Sequence, residues 1–297
     1  MYDIFKLPFI VKPKAIKTFK NCGLVLFTSG SSGKPKAVNL PLKGLIKSYQ
    51  WAQGHFSLSK EDRAIVGLPI SHTFALNTQF LPSYLAGAQC IFVNSKEQFS
   101  RQYEMICKHK GTFITVIGEI LRLWDKEKRI RKLPDCNTVK HIQIAGGRIS
   151  EEHLSFAKSL FPKAVIHKGY GMTETIRTSM ISSEDAHFKS STCGYVLDWQ
   201  DVRVKGQLGE VLSNGEQGEI FVKSETCLEF YNSGETGVIL DEDGYFATGD
   251  IGYLLDNRLL FCIVCKYTKK NRNIIFYIQM YNPICNTCTN KIEMFCF

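Results

Sequence analysis

Five short apolar runs separated by stretches with helical spacing constrain this chain more than any other feature. Arg63–Pro69, Gln89–Val93, Phe113–Val116, His141–Ala145 and Ala164–His167 read as strands. Between and before them, Leu42–Phe56, Phe80–Ala86, Glu119–Lys128 and Glu151–Leu160 read as helices; in the first, Leu45, Tyr49 and Ala52 fall four and three residues apart. Strands alternating with helices specify an α/β fold with a mainly parallel sheet and flanking helices. In such sheets ligands sit at the carboxyl ends of the strands. From about Thr192 the texture changes to short alternating runs, at Asp201–Lys205, Gly218–Lys223 and Gly237–Leu240, with turn residues between them. These predict a smaller antiparallel, barrel-like β subdomain. The expected division is 1–191, 192–260 and a tail of 261–297 with no clean helical or strand period.

The chemistry-bearing stretches lie beside the strands. Gly23–Thr28 reads as a buried strand running into Ser29-Gly30-Ser31-Ser32-Gly33, which has almost no side-chain bulk, and then Lys34-Pro35-Lys36. Backbone N–H groups and hydroxyls of such a loop can turn inward as a nest for phosphate oxygens, with lysine charge at the rim. It is not a Walker A loop, because Gly30 and Gly33 are two residues apart and Pro35 follows Lys34. In Gly169-Tyr170-Gly171-Met172-Thr173-Glu174, Tyr170 offers a flat face for a base, Thr173 a hydroxyl for a phosphate and Glu174 a hard oxygen for Mg2+. Thr248-Gly249-Asp250 offers a carboxylate, expected at a strand end, that can accept from both hydroxyls of a ribose. Gly146-Gly147 is a two-glycine turn between a strand and a helix, and His72 lies in the loop after the first of the five strands.

Thr28–Lys36, Tyr170–Glu174 and Thr248–Asp250 occur in the order found in the AMP-forming adenylating enzymes, and the chain resembles that family from about Gly23 to Phe261. The family includes acyl-CoA synthetases, peptide-synthetase adenylation domains and luciferases. The resemblance implies an acid–thiol ligase: a carboxylate and Mg·ATP give an acyl-adenylate and pyrophosphate, and the acyl group passes to CoA or a carrier-protein thiol. It implies ATP contacts from Thr28, Ser29, Gly30, Ser31, Ser32, Gly33, Lys34, Lys36, Gly146, Gly147, Tyr170, Gly171, Thr173 and Asp250. Glu174 is implied as the Mg2+ ligand, and His72 as part of the carboxylate site. The absence of an acid between Pro69 and Phe80 argues against an amino-acid substrate and for a fatty or aryl acid. The family's upstream α/β segment, its Gly-Arg hinge and the lysine of its C-terminal domain have no match here. The resemblance therefore covers the central part of such an enzyme, and weak turnover is expected. An inactive nucleotide-binding remnant and a peptide-synthetase fragment are the alternatives.

Composition limits the other classes. Apolar residues make up 44% of the 297, enough for a sizeable core. The net charge of +9 is concentrated in the tail, where Asn257–Phe297 holds six Lys/Arg against Glu293 alone. No basic-aromatic module points to nucleic acid. No apolar stretch has the length of a signal peptide or membrane span, and eleven cysteines in such a chain predict reduced thiols in a cytoplasmic protein. Cys262, Cys265, Cys285 and Cys288 have the spacing of a four-cysteine zinc site. The first pair, however, reads as part of a strand.

Overall fold

The computed structural model describes residues 22–29, 35–93, 99–130, 133, 136–146, 149–228, 230–231, 240–256, 258–263, 275–278 and 292–295. Five strands form the parallel half of one sheet: β3 (Arg63–Val66), β4 (Gln89–Phe92), β5 (Phe113–Val116), β6 (His141–Ile144) and β7 (Val165–Tyr170). They stand in the order β4-β3-β5-β6-β7, each pair in parallel register. β5 is buried along its whole length, as expected of a strand covered on both faces.

Helices α1 (Leu42–His55), α4 (Phe99–Lys108), α5 (Gly118–Ile130) and α6 (Glu151–Leu160) supply the cover. On α6, Leu154, Ala157 and Leu160 are buried. Its start is a capping box in which Ser150 Oγ accepts from His153 N–H at 3.3 Å and His153 Nδ1 accepts from Ser150 N–H at 3.2 Å. The sequence reading did not anticipate α4. Its Tyr103 meets Trp124 of α5 and Phe161 just past α6, with ring centroids 5.4 and 5.7 Å apart, and that aromatic trio anchors it. The helix predicted at Phe80–Ala86 starts earlier. It is a continuous rod of α2 (Thr73–Ala75), a π-turn at Leu76–Phe80 and α3 (Leu81–Leu85). Gln79 of the π-turn is fully buried and donates to the carbonyls of Ile65 and Phe113 at 3.1 and 3.2 Å. Thr115 Oγ1 donates to it in turn at 2.7 Å, so the turn is fastened to the sheet face.

The antiparallel strands continue the same sheet. β8 (Ser179–Ser182), β9 (Thr192–Val196), β10 (Gln200–Lys205), β11 (Gly218–Ser224), β13 (Phe246–Leu255) and β14 (Leu259–Ile263) extend it in the order β7-β8-β9-β14-β13-β11-β10. This half rolls back on itself. β13 stands four places from β7, about 19 Å in a flat sheet, yet Tyr170 of β7 hydrogen-bonds Asp250 of β13 at 2.8 Å. The bends have local causes. Register shifts interrupt the β14–β9 and β11–β13 ladders. Gly194 has φ +100°, and a Cβ there would lie 2.3 Å from the Met180 carbonyl carbon.

Three sequence expectations need correction. The strand at Gly23–Thr28 is β1 (Cys22–Ser29), but it is not a buried member of the parallel array: Leu26 is buried while Val25 and Phe27 are exposed. It pairs antiparallel with β2 (Pro35–Pro41), and β12 (Phe230–Tyr231) adds to β2 in a separate three-stranded sheet. Prolines at both ends of β2 hid it from a pattern search. The reduced-thiol expectation fails at one place, where Cys107 at the end of α4 is bonded to Cys136. The tail, read as aperiodic, contains an antiparallel pair, β15 (Ile275–Ile278) with β16 (Ile292–Phe295). Of the run predicted at Gly237–Leu240, only Leu240 is among the described residues, bridging Phe246. Among the described residues no helix is long and apolar enough to cross a membrane.

Candidate active site

Tyr170 is the last residue of β7, so the Gly-Tyr-Gly stretch begins inside the strand rather than after it. The chain then doubles back. Thr175 and Ile176 N–H both donate to the Met172 carbonyl, at 3.2 and 2.7 Å, and Thr178 N–H closes the loop on the Tyr170 carbonyl at 2.9 Å. A Cβ on Gly171 would lie 2.2 Å from the Ile176 carbonyl oxygen, so this position requires glycine. Ile176 is left-handed, φ +62°, with its side chain buried. A β-branched residue in that conformation costs on the order of 1–3 kcal/mol and persists because its surroundings over-determine it.

Those surroundings are polar on one side. Thr175, Thr178 and Thr226 are fully buried. Thr226 Oγ1 donates to the Thr175 carbonyl at 3.0 Å, and Gln200 Nε2 donates to Thr226 Oγ1 at 2.9 Å and to the Arg177 carbonyl at 2.6 Å. Leu228 N–H donates to the Glu174 carbonyl at 2.7 Å. The loop presenting Thr173, half-buried, and Glu174, buried, is thus locked from beneath. Sequence reasoning missed this network, because isolated Thr and Gln residues far apart in the chain carry no pattern.

Asp250 was expected at a strand end and instead sits within β13, at a bulge. Glu219 of β11 pairs with Ile251 and Phe221 with Ala247, so Thr248, Gly249 and Asp250 all stand opposite Ile220. Gly249 takes φ +78° there and donates its N–H to Glu219 Oε1 at 3.0 Å. Thr248 Oγ1 donates to the Ile220 carbonyl at 2.8 Å and accepts from Asp250 N–H at 3.1 Å. The bulge aims the Asp250 carboxylate at Tyr170. Burial pushes the Asp250 carboxyl above the usual range; the Tyr170 hydroxyl opposes this, and the charges of Glu174 and Glu219 add to it. Burial, then the Asp250 charge, push the Tyr170 phenol well up, so it is a hydrogen-bond donor at neutral pH. Among the described residues no group of three His, Cys, Asp or Glu side chains is placed to hold a metal ion.

One apolar cluster ties the three motifs together. Leu26 of β1, Val38 and Leu40 of β2, Leu45 and Tyr49 of α1, Ile176, Leu228 and Phe246 pack as a single buried group. Leu26 lies two residues before Thr28, Ile176 two after Glu174, and Phe246 four before Asp250. Thr28 pairs with Lys36 and Ser29 with Pro35 where β1 and β2 meet. Gly30–Lys34 and Gly147 lie outside the described residues. Gly146 follows β6 with φ +77° at the carboxyl edge of the sheet. His72 also lies beyond a carboxyl end, that of β3. Its ring is exposed at the start of α2, and it makes no side-chain hydrogen bond to the described residues. β3 stands three strands from β7 in the sheet. Cys262 of β14 lines the interior of the rolled half beside Cys193; Cys265, Cys285 and Cys288 lie outside the described residues.

Comparisons with known proteins place the fold and the family. The chain is 28% identical over 248 residues to 4-coumarate–CoA ligase of Pinus taeda, covering 80% of this chain and 46% of that enzyme. It is 29% identical over 248 residues to 4-coumarate–CoA ligase 1 of Arabidopsis thaliana, covering 80% and 44%. Among solved structures, O-succinylbenzoate coenzyme A synthetase of Bacillus subtilis in complex with ATP and magnesium ion shares the fold at TM-score 0.69 and 24% identity, over 80% of this chain and 49% of that one. VinN shares it at TM-score 0.71 and 22% identity, over 81% and 60%. The chain spans a little under half the length of the curated relatives it matches. Residues 11–231 match the family described as AMP-binding enzyme, and with its motifs in these positions the chain belongs to that family.

Proposed function

We propose that this chain carries the nucleotide- and acid-binding part of an ATP-dependent acid–CoA ligase that acts on an aryl or fatty acid. The reaction joins a carboxylate oxygen to the α-phosphorus of ATP; the α–β P–O bond breaks and its electrons leave with pyrophosphate. The acyl group then passes to a thiol, CoA by analogy with the ligases above. The observation that carries the reading is the Tyr170–Asp250 contact, which brings two motifs eighty residues apart to one point.

The carboxylate is ionised at neutral pH, so no general base is needed. The chain's contribution is positioning and charge stabilisation. Asp250 would accept from the ribose hydroxyls while Tyr170 fixes its rotamer and lines the base. Thr173 would donate to the α-phosphate, and the β1–β2 turn, Ser29–Lys36, would cradle the β- and γ-phosphates. Glu174 would hold Mg2+, which supplies charge neutralisation at the phosphates when bound. The α/β part, 1–191, would thus serve the phosphates and the β-rich part, 192–260, the ribose.

Pyrophosphate exchange into ATP with a panel of aryl and fatty acids tests this. Exchange above background is expected with at least one acid, and Glu174→Ala should cut it by about 10²–10³. Absence of exchange with every acid, or an unaltered Glu174→Ala rate, overturns the reading.

A further inference from the structure

Arg177 follows Glu174 by three residues and is 2% exposed. Its guanidinium lies between α1 and the π-turn. Nη1 donates to the Ser48 carbonyl at 3.4 Å and to Ser48 Oγ at 3.5 Å, and Nη2 donates to the Thr78 carbonyl at 3.3 Å. All three are long bonds to neutral acceptors. Nε has no hydrogen-bond partner among the described residues. Its centre lies 4.9 Å from the Trp51 ring. Among the described residues no carboxylate pairs with it, and burial alone lowers its affinity for a proton to a pKa of about 9, with only the Tyr49 phenol opposing.

A buried arginine is normally paired with an acid, because leaving the cation without one forfeits its hydration for little in return. Cation–π contact with Trp51 offsets part of that loss. The guanidinium also touches a π-turn, an irregularity often found where helices meet ligands. Three residues of chain place the Arg177 Cα within about 11 Å of that of Glu174.

Resting on the acid-activation reading, we propose that Arg177 is the counter-ion for a second anionic group of the acid substrate. One carboxylate would be activated beside Thr173 and Glu174. The other would be gripped bidentately by the Arg177 fork in place of its long bonds to Ser48 and Thr78. The substrate class is an acid with a carboxylate or comparable anion at the far end of its spacer. A monoacid of the same shape would leave the cation as it stands now.

The test uses matched pairs: α,ω-dicarboxylic acids of four to ten carbons and their monomethyl esters, titrated into the full chain by calorimetry. The wild-type chain should bind at least one diacid about tenfold or more tighter than its ester, and Arg177→Met and Arg177→Lys should each erase most of that ratio. If no diacid outbinds its ester, or if the ratio survives both substitutions, Arg177 is a structural brace and the inference falls. Should Arg177→Met not fold, the wild-type pairs and Arg177→Lys decide. Pyrophosphate exchange separates the two readings. Exchange with monoacids and no diacid preference sinks this inference alone. Diacid-selective binding that Arg177→Met and Arg177→Lys erase, without exchange, leaves Arg177 as the anion's counter-ion and sinks acid activation.

Discussion

Two aspartates in this molecule, Asp62 buried and Asp250 half-buried, are treated in opposite ways. Asp62, at the entry to β3, receives Ser59 N–H and Oγ at 3.0 and 3.2 Å on one oxygen, and Thr112 Oγ1 and Lys140 Nζ at 2.9 and 2.8 Å on the other. Burial alone would raise its carboxyl; the Lys140, Thr112 and Ser59 bonds outweigh it and leave the carboxyl below the usual range. Asp250 receives one hydrogen bond from the described residues, from Tyr170, and faces two further carboxylates. Its carboxyl is raised. The chain completes the first aspartate from its own groups; on the proposed reading a ligand completes the second. A perturbed carboxylate short of partners marks a site, whereas a saturated one marks scaffold.

The contrast can be broken by four measurements. Asp250→Ala should weaken ATP binding most, by about 4 kcal/mol or roughly a thousandfold for two lost charge-assisted bonds, without lowering the melting temperature. Calorimetric titration beside a thermal melt reads both. Asp62→Ala should do the reverse, costing about 3 kcal/mol of unfolding free energy in denaturant titrations while the folded fraction binds ATP as before. If both variants lose the same property, the division between the two aspartates is wrong.

A smaller effect comes from pH. His55, His167 and His141 form a chain of ring nitrogens, 3.2 and 3.0 Å apart, beside Phe56. Burial first, then neighbouring cationic groups, lower His55 to about 4 and His167 to about 3, from an ordinary 6.5. The unfolded chain therefore takes up protons before the folded one as pH falls. The contribution is complete above pH 6.5 and is lost as pH drops toward the folded values. For His167 this is about 2 kcal/mol between pH 7 and pH 5. Denaturation at the two pH values should show it, and His167→Phe should flatten the slope. Smallest is Tyr170→Phe, expected to weaken ATP binding by about 1 kcal/mol. It removes the group that holds the Asp250 carboxyl down, so affinity should begin to fail at a higher pH than in the wild type.

What the sequence discloses about this fold depends on whether the cause is local. The parallel strands and α6 come from short-range periodicity and caps, and their ends fall within three residues of the expected places. β2 is hidden because its prolines fail any strand template, and it exists only through pairing with β1 and β12. Tyr170, Glu174 and Asp250 are visible as motifs, but their meeting is not. It requires a rolled sheet, a three-residue bulge and Gly194, none of which has a signature of its own. Arg177 is invisible for a different reason: a lone arginine in a sequence looks solvated, and only the fold shows it buried with no acid beside it among the described residues.

The grease shared by Leu26, Leu45, Ile176 and Phe246 makes the three motifs mechanically inseparable. A methyl group removed from Leu45, which touches no ligand in any reading, would slacken the β1–β2 pair, the loop of Glu174 and the strand of Asp250 at one stroke. Affinity for nucleotide and resistance to heat should then rise and fall together across substitutions in that cluster, as they should not for changes at Asp250 itself.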